Sequence, residues 1–167
     1  MEKHRAAKMY DYHVWANRRV FENLRQQPES IYNSQIQSVF SSVSEVLLHM
    51  YMVEMAWFET MKGTLFDNTS KKIEQAALEL KGQPLEVVEM AFEAMAEEFQ
   101  GFLANQKDLE QVLEVMHPHY GRSEFALADM IHHVVNHGTY HRGNISAMSH
   151  QQGEKGAPTD YIFFVGK

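Results

Sequence analysis

The stretch from Ser123 to Gln152, SEFALADMIHHVVNHGTYHRGNISAMSHQQ, gives the clearest structural signal in this chain of 167 residues. Its apolar residues recur at steps of three and four, the spacing that lines one face of an α-helix. These residues are Leu127, Met130, Ile131, Val134, Val135, Ile145 and Met148. Gly153 follows, and glycine is common just past the end of a helix. We therefore predict one long amphipathic helix over residues 123–152.

Three further stretches have the same periodicity. Pro28 follows the first of them, and helices usually end before the residue that precedes a proline. The second opens with Ser42 followed by Glu45, a pair typical of a capping box. The three stretches run from Arg5 to Arg25, from Ser41-Ser42 to Lys62-Gly63, and from Pro84 to about Ala104. Four long helices joined by longer connections predict an all-α four-helix bundle, in a single domain over residues 1–167.

Two segments have weaker patterns. Between Gln106 and Arg122, the apolar residues Leu109, Val112 and Val115 fit either a short helix or a strand. The tail from Gly153 onward ends in a run of apolar residues, which we expect to pack against the bundle.

Composition and charge exclude several functional classes. The formal net charge is −7, which argues against nucleic-acid binding, because such binding depends on clustered Lys and Arg. Cysteine is absent, so the chain has no disulfide, thiolate metal ligand or cysteine nucleophile. The sequence shows no apolar run of membrane-spanning length and no signal peptide. We expect a cytoplasmic protein that does not bind membranes.

Histidine is the unusual residue, with ten copies. His137 and His141 are four residues apart, so two consecutive turns present them on one face. With about 100° per residue, His141 lies about 40° and His137 about 80° from the centre of the apolar stripe. His133 lies about 120° away, so we interpret it as exposed, and His132 points to the opposite side. The pair has the spacing by which two imidazoles can share a metal ion.

A pair of ligands is at most half of a tetrahedral site, so a third ligand must come from elsewhere. His49 is the best candidate, since it flanks the apolar stripe of the second helix. The alternative for each of these histidines is a half-buried residue that makes one hydrogen bond. Spacing alone does not decide between the two interpretations.

The remaining histidines give weaker signals. Glu114 and His117 form one Glu-x-x-His pattern, whereas a di-iron carboxylate bundle needs two. The others have no partner at ligand spacing, and we interpret them as surface or hydrogen-bonding residues: His4, His13, His119 and His150. Tyr140 and Arg142 flank the predicted ligands and could orient a substrate, although packing is the simpler role for both.

Several motifs resemble those of the DinB family, within the DinB/YfiT-like superfamily of metalloenzymes. The resemblance covers nearly the whole chain, and its most specific part is Asn136-His137-Gly138-Thr139-Tyr140-His141-Arg142-Gly143. Supporting segments are Tyr12-His13-Val14-Trp15-Ala16-Asn17, Leu48-His49 with Glu54 and Trp57, and Pro158-Thr159-Asp160-Tyr161.

The resemblance implies a four-helix bundle with a three-histidine metal site. Carried over to this sequence, the metal ligands are His49, His137 and His141. The implied cofactor is a divalent transition-metal ion, zinc or nickel, because imidazole suits either. The resemblance also implies a homodimer. The family name reflects induction by DNA damage and indicates no DNA-binding activity.

Relatives in the superfamily include transferases that use bacillithiol, mycothiol or glutathione. The resemblance therefore implies a metal-dependent thiol S-transferase or a related detoxifying enzyme, whose partners are a low-molecular-weight thiol and a small-molecule substrate. Two alternatives stay open. One is a metal-dependent hydrolase that uses a bound hydroxide, and the other is a metal-binding structural bundle without catalysis.

Overall fold

The computed structural model describes residues 3–119 and 121–166. Met1, Glu2, Tyr120 and Lys167 lie outside this range; Tyr120 belongs to the 106–122 segment and Lys167 to the tail. The helices of the described part are α1 (Arg5–Arg25), α2 (Ser30–Asn33), α3 (Val43–Met61), α4 (Phe66–Leu80), α5 (Leu85–Ala104), α6 (Leu127–Gln151) and α7 (Tyr161–Val165). The strands are β1 (Val112–His117) and β2 (Gly121–Ala126).

The predicted all-α four-helix bundle is confirmed, with α1, α3, α5 and α6 as its four helices. Both α5 and α6 lie against α1 and against α3. Phe99 of α5 is fully buried, with its ring centroid 4.1 Å from that of Tyr10 in α1 and 4.6 Å from that of Phe58 in α3. Burial of such aromatic rings is a major source of stability in a core. The ring contacts join three of the four bundle helices.

Local signals explain the ends of α3. The Ser42 hydroxyl accepts a hydrogen bond from the Glu45 backbone N–H at 3.3 Å. The Glu45 carboxylate in turn accepts from the Ser41 backbone N–H at 3.2 Å, one residue earlier than in a standard capping box. At the other end, Gly63 has a φ of +77°, which a side chain would strain. The predicted limits of this helix are therefore confirmed.

The predicted start of the last helix at Ser123 was wrong, because residues 121–126 form β2. This strand pairs with β1 in antiparallel register, with Val112 opposite Ala126. Within the 106–122 segment, the strand alternative was thus the correct one. The helix α6 begins at Leu127, where the Leu127 and Ala128 N–H groups donate to the carbonyls of Gln111 and Leu109 at 2.9 and 2.8 Å. These backbone carbonyls accept the hydrogen bonds that a capping side chain usually accepts.

Helix α4, which packs against α3, was not predicted from the sequence. It has two buried residues, Thr69 and Ala76. Ile73, Ala77 and Leu80 are partly buried, and their spacing is helical. This pattern was present in the sequence but is weak, because small residues occupy much of the buried face.

The predicted packing of the tail is confirmed for its described residues. Phe164 of α7 contacts the rings of Tyr12 and Trp15 in α1, and the Tyr12 hydroxyl donates to the Thr159 carbonyl at 2.8 Å. Among the helices in the described ranges, none is long and apolar enough to cross a membrane.

Glu59 joins the end of α3 to α4. It is 5% exposed, and its carboxylate accepts from Lys62, from Thr64 at 2.7 Å and from Lys72 at 2.8 Å. Burial raises the pKa of this carboxyl group, but the three hydrogen bonds outweigh burial and lower the pKa to about 2. The ionised form is therefore the one that stabilises the fold.

We predict that Glu59→Gln lowers the free energy of unfolding by about 1–3 kcal/mol at neutral pH, because an amide cannot replace the charge-assisted bonds. A lowered folded-state pKa gives stability that is complete above pH 4.5 and lost as the pH falls towards 2. The difference between variant and wild type should therefore shrink in acid. Urea denaturation measures it, with the exposed Glu74→Gln as control; equal effects of the two substitutions would contradict this role.

Candidate metal centre

Two helices bring together the three predicted ligands. His49 lies near the start of α3, and His137 and His141 lie on consecutive turns of α6. The Nε2 atom of His137 is 3.1 Å from Nε2 of His49 and 3.1 Å from Nε2 of His141. In the part of the chain that the structure describes, this is the one group of three such side chains positioned to hold a metal ion.

The three imidazoles fit a metal ion better than they fit one another. An imidazole nitrogen has either one hydrogen or one lone pair, so Nε2 of His137 cannot make two good hydrogen bonds at once. Two nitrogens at the usual zinc distance, with angles between 90° and tetrahedral, lie about 2.8–3.4 Å apart. The two observed separations of 3.1 Å fall in this range. One cation would accept all three lone pairs.

Asn144 fixes the orientation of one imidazole. The Nδ1 atom of His141 is 3.0 Å from the Asn144 side-chain oxygen, so Nδ1 carries the hydrogen and donates it. The Nε2 atom of His141 therefore has a free lone pair that faces His137. Hydrogen bonds of this kind commonly orient histidine ligands in metal sites.

The surroundings favour the neutral form of all three rings. Burial lowers the pKa of His49 and of His141. Burial, assisted by the neighbouring His141 and His49, lowers the pKa of His137 to about 4. Phe40 supplies part of the apolar cover, with its ring centroid 5.1 Å from that of His49 and 5.5 Å from that of His141. Neutral imidazole is the form that binds metals.

Comparison with known proteins identifies the family. The model of the DinB family matches residues 1–166. The chain is also 39% identical over 160 residues to the protein named Protein DinB of Bacillus subtilis (strain 168). The aligned region covers 96% of this chain and 93% of the Bacillus protein. The chain belongs to the DinB family.

Within this DinB-family bundle, the structure separates the other histidines from the three. His133 is exposed, as expected. Its ring centroid lies 4.6 Å from that of Trp57 and 6.2 Å from that of His137. Glu114 of the single Glu-x-x-His pattern pairs with Arg122 at 2.7 Å. His4 accepts a hydrogen bond from the Ala6 backbone N–H and so caps α1.

Of the two roles predicted for His13, surface or hydrogen-bonding, the structure supports the second, since His13 is 2% exposed and lies within hydrogen-bond distance of Glu54. It belongs to a buried polar cluster that sequence reasoning missed, comprising Tyr10, His13, Asn17, Glu54 and Arg142. A signal was available: His13 and Asn17 follow Tyr10 by three and seven residues, on the same helical face. The cluster also shows that Arg142 is packed inside the bundle, whereas Tyr140 is 62% exposed.

Hydrogen bonds connect the whole cluster. The Tyr10 hydroxyl donates to Oε1 of Glu54 at 2.6 Å, and Nε2 of His13 lies 3.0 Å from Oε2 of Glu54. Arg142 donates to Oδ1 of Asn17 at 2.9 Å and, more weakly, to Nδ1 of His13 at 3.3 Å. Burial raises the pKa of Glu54, but interactions with His13, Tyr10 and Arg142 reverse the effect and lower it. The cluster thus holds an ionised carboxylate inside the bundle.

The lowered pKa of His137 makes the metal-free protein sensitive to acid. The unfolded chain binds protons near pH 6.5, whereas folded His137 binds them only near pH 4. Neutral His137 costs no stability above pH 6.5, but the free energy of unfolding falls as the pH decreases towards 4, because only the unfolded chain then takes up the proton.

We predict that metal-free His137→Gln loses less free energy of unfolding than the wild type between about pH 7 and about pH 4.5. Urea denaturation in the presence of a chelator measures this difference. His132→Gln, an exposed position on the same helix, should retain the wild-type pH dependence. Parallel pH profiles for wild type and His137→Gln would refute the prediction.

Proposed function

We propose that this protein binds one divalent transition-metal ion through the Nε2 atoms of His49, His137 and His141. The observation that carries the proposal is the position of His137 Nε2, 3.1 Å from two other imidazole nitrogens. Membership of the DinB family and the lowered pKa values of the three rings support it. Zinc and nickel are the expected metals, because both accept imidazole ligands.

We further propose that the ion serves a thiol S-transferase reaction. Three protein ligands leave coordination positions open, which is typical of catalytic rather than structural metal sites. A zinc or nickel ion in the site would lower the pKa of a bound thiol and hold it as the thiolate. The thiol proton would pass to solvent, the thiolate sulfur would form a bond to an electrophilic carbon of the substrate, and the leaving group would depart with its electron pair.

A groove beside His49 gives room for a small-molecule thiol. Its volume is about 570 Å³, within the usual range for ligand sites. Phe40, Leu48 and Met52 contribute apolar walls, and Glu45 and Lys81 contribute charges of opposite sign. A low-molecular-weight thiol that carries both an amino and a carboxylate group would complement these charges. We therefore expect a thiol of this kind to bind in the groove.

The expected partners follow from the same proposal. They are a small-molecule thiol, an electrophilic substrate and a second copy of the chain, in the cytoplasm.

Ile162 and Phe163 of α7 are 67% and 53% exposed and offer apolar surface for a dimer contact. Sedimentation equilibrium should give twice the mass of the chain, and a monomer at micromolar concentration would contradict the dimer.

We predict one bound metal ion per chain in protein purified without a metal-affinity tag. His137→Ala should reduce the metal content to the background level, because the remaining two ligands bind weakly and with poor geometry. His132→Ala, on the exposed side of the same helix, should retain the full content. Elemental analysis measures all three proteins; equal and negligible metal in wild type and His137→Ala would reject the metal site.

We predict metal-dependent conjugation of a cellular thiol to a small electrophile. The assay combines bacillithiol, mycothiol, glutathione or cysteine with 1-chloro-2,4-dinitrobenzene and follows chloride release and S-aryl product. His49→Ala should abolish the reaction without preventing folding. Turnover of a nitrophenyl ester without thiol would support a hydrolase instead, and metal-dependent stability without any turnover would support a structural role.

A further inference from the structure

The buried polar cluster lies between the two helices that supply the histidines. Arg142 directly follows His141 in α6, and Glu54 lies five residues after His49 in α3. His13 and Asn17 of α1 fill the space between Arg142 and Glu54. Any shift of α6 relative to α3 that changes this cluster therefore also changes the separation between His49 and the other two histidines.

The cluster resists such shifts because its charges are buried. Arg142 is 3% and Glu54 is 5% exposed, and neither charge can be left without its partners except at high cost. His13 lies between the two, with Nδ1 towards the guanidinium and Nε2 towards the carboxylate. Nε2 of His13 also lies 3.0 Å from Nδ2 of Asn17. Each contact holds one bundle helix against another.

Gly138 allows α6 to lie close to His13 of α1. A Cβ atom at Gly138 would lie 2.3 Å from Cε1 and 2.5 Å from Nδ1 of His13. Real atoms do not come so close, so any larger residue would push His13 and α1 away from α6. Gly138 directly follows His137, so this close contact between α1 and α6 is next to a proposed metal ligand.

We propose that the buried polar cluster, with Gly138, positions the metal ligands by fixing α6 against α1 and α3. The members do not touch the ion, and they act by holding Nε2 of His49 at 3.1 Å from Nε2 of His137. This inference rests on the proposed metal site. It assigns a role in metal affinity and coordination geometry to residues that are not ligands.

The decisive comparison is Gly138→Ala against Gly143→Ala. Both substitutions place the same methyl group on α6, one or two residues from a histidine ligand. A Cβ at Gly143 would meet no atom within 4 Å, whereas one at Gly138 would collide with His13. Helix propensity favours alanine equally at both positions. Any difference between the two variants therefore comes from the cluster.

Zinc affinity is measured by competition with a chromophoric chelator, well below the melting temperature of every variant. Gly138→Ala should bind zinc about 10–100-fold more weakly than wild type, the usual effect of disturbing groups that orient ligands. Its Co²⁺ complex should also show altered visible absorption bands, because these report coordination geometry. Gly143→Ala should retain the wild-type affinity and spectrum.

Glu54→Gln provides a second route if Gly138→Ala does not fold. It preserves the shape of the side chain but removes the negative charge that Arg142 compensates and that His13 contacts, and it should alter the Co²⁺ spectrum in the same direction as Gly138→Ala. If Gly138→Ala and Glu54→Gln melt at lower temperature yet match Gly143→Ala in zinc affinity and Co²⁺ spectrum, the cluster is merely structural and this inference is overturned. If wild type binds neither metal, the proposed metal site and this inference both fail.

Discussion

Helix α6 lies between α1 and α3, and its buried groups determine how these three helices pack. On one side α6 must bury apolar residues such as Leu127 and Ile131, both fully buried. It must also bury Arg142, which requires a carboxylate and hydrogen-bond acceptors nearby. The residues that meet this need, Glu54 and Asn17, come from α3 and α1. Satisfying one buried charge therefore fixes three helices relative to one another.

The same arrangement explains why the histidines converge. His137 and His141 share a face of α6 through local helix geometry alone, but His49 reaches them only when α3 is in its observed register. Their proximity without an ion would be unfavourable, since three imidazoles cannot all pair at short range. Burial keeps the rings neutral, as the lowered pKa values of His49, His137 and His141 indicate. The fold therefore holds the three rings in an arrangement that is unfavourable without an ion and suited to metal binding.

Local signals in the sequence were enough to predict the bundle and the His137/His141 pair. Helical spacing relates only residues on the same helix. It therefore left His49 as a candidate, and the family resemblance selected it. The start of α6 escaped prediction because the capping groups are the carbonyls of Leu109 and Gln111, which no local motif reveals. The role of His13 escaped for a similar reason, since its partners Glu54 and Arg142 are 41 and 129 residues away. Sequence patterns thus predict faces of helices, whereas buried polar pairing depends on how those faces meet.

We propose that one ion lies between the three histidines. Anomalous X-ray scattering at the zinc edge, from crystals of the zinc-loaded protein, tests it most directly because it locates the metal itself. We expect one strong peak about 2.0–2.1 Å from Nε2 of His49, His137 and His141. A zinc-loaded crystal with no peak there, or with its strongest peak at other side chains, would rule out this metal site.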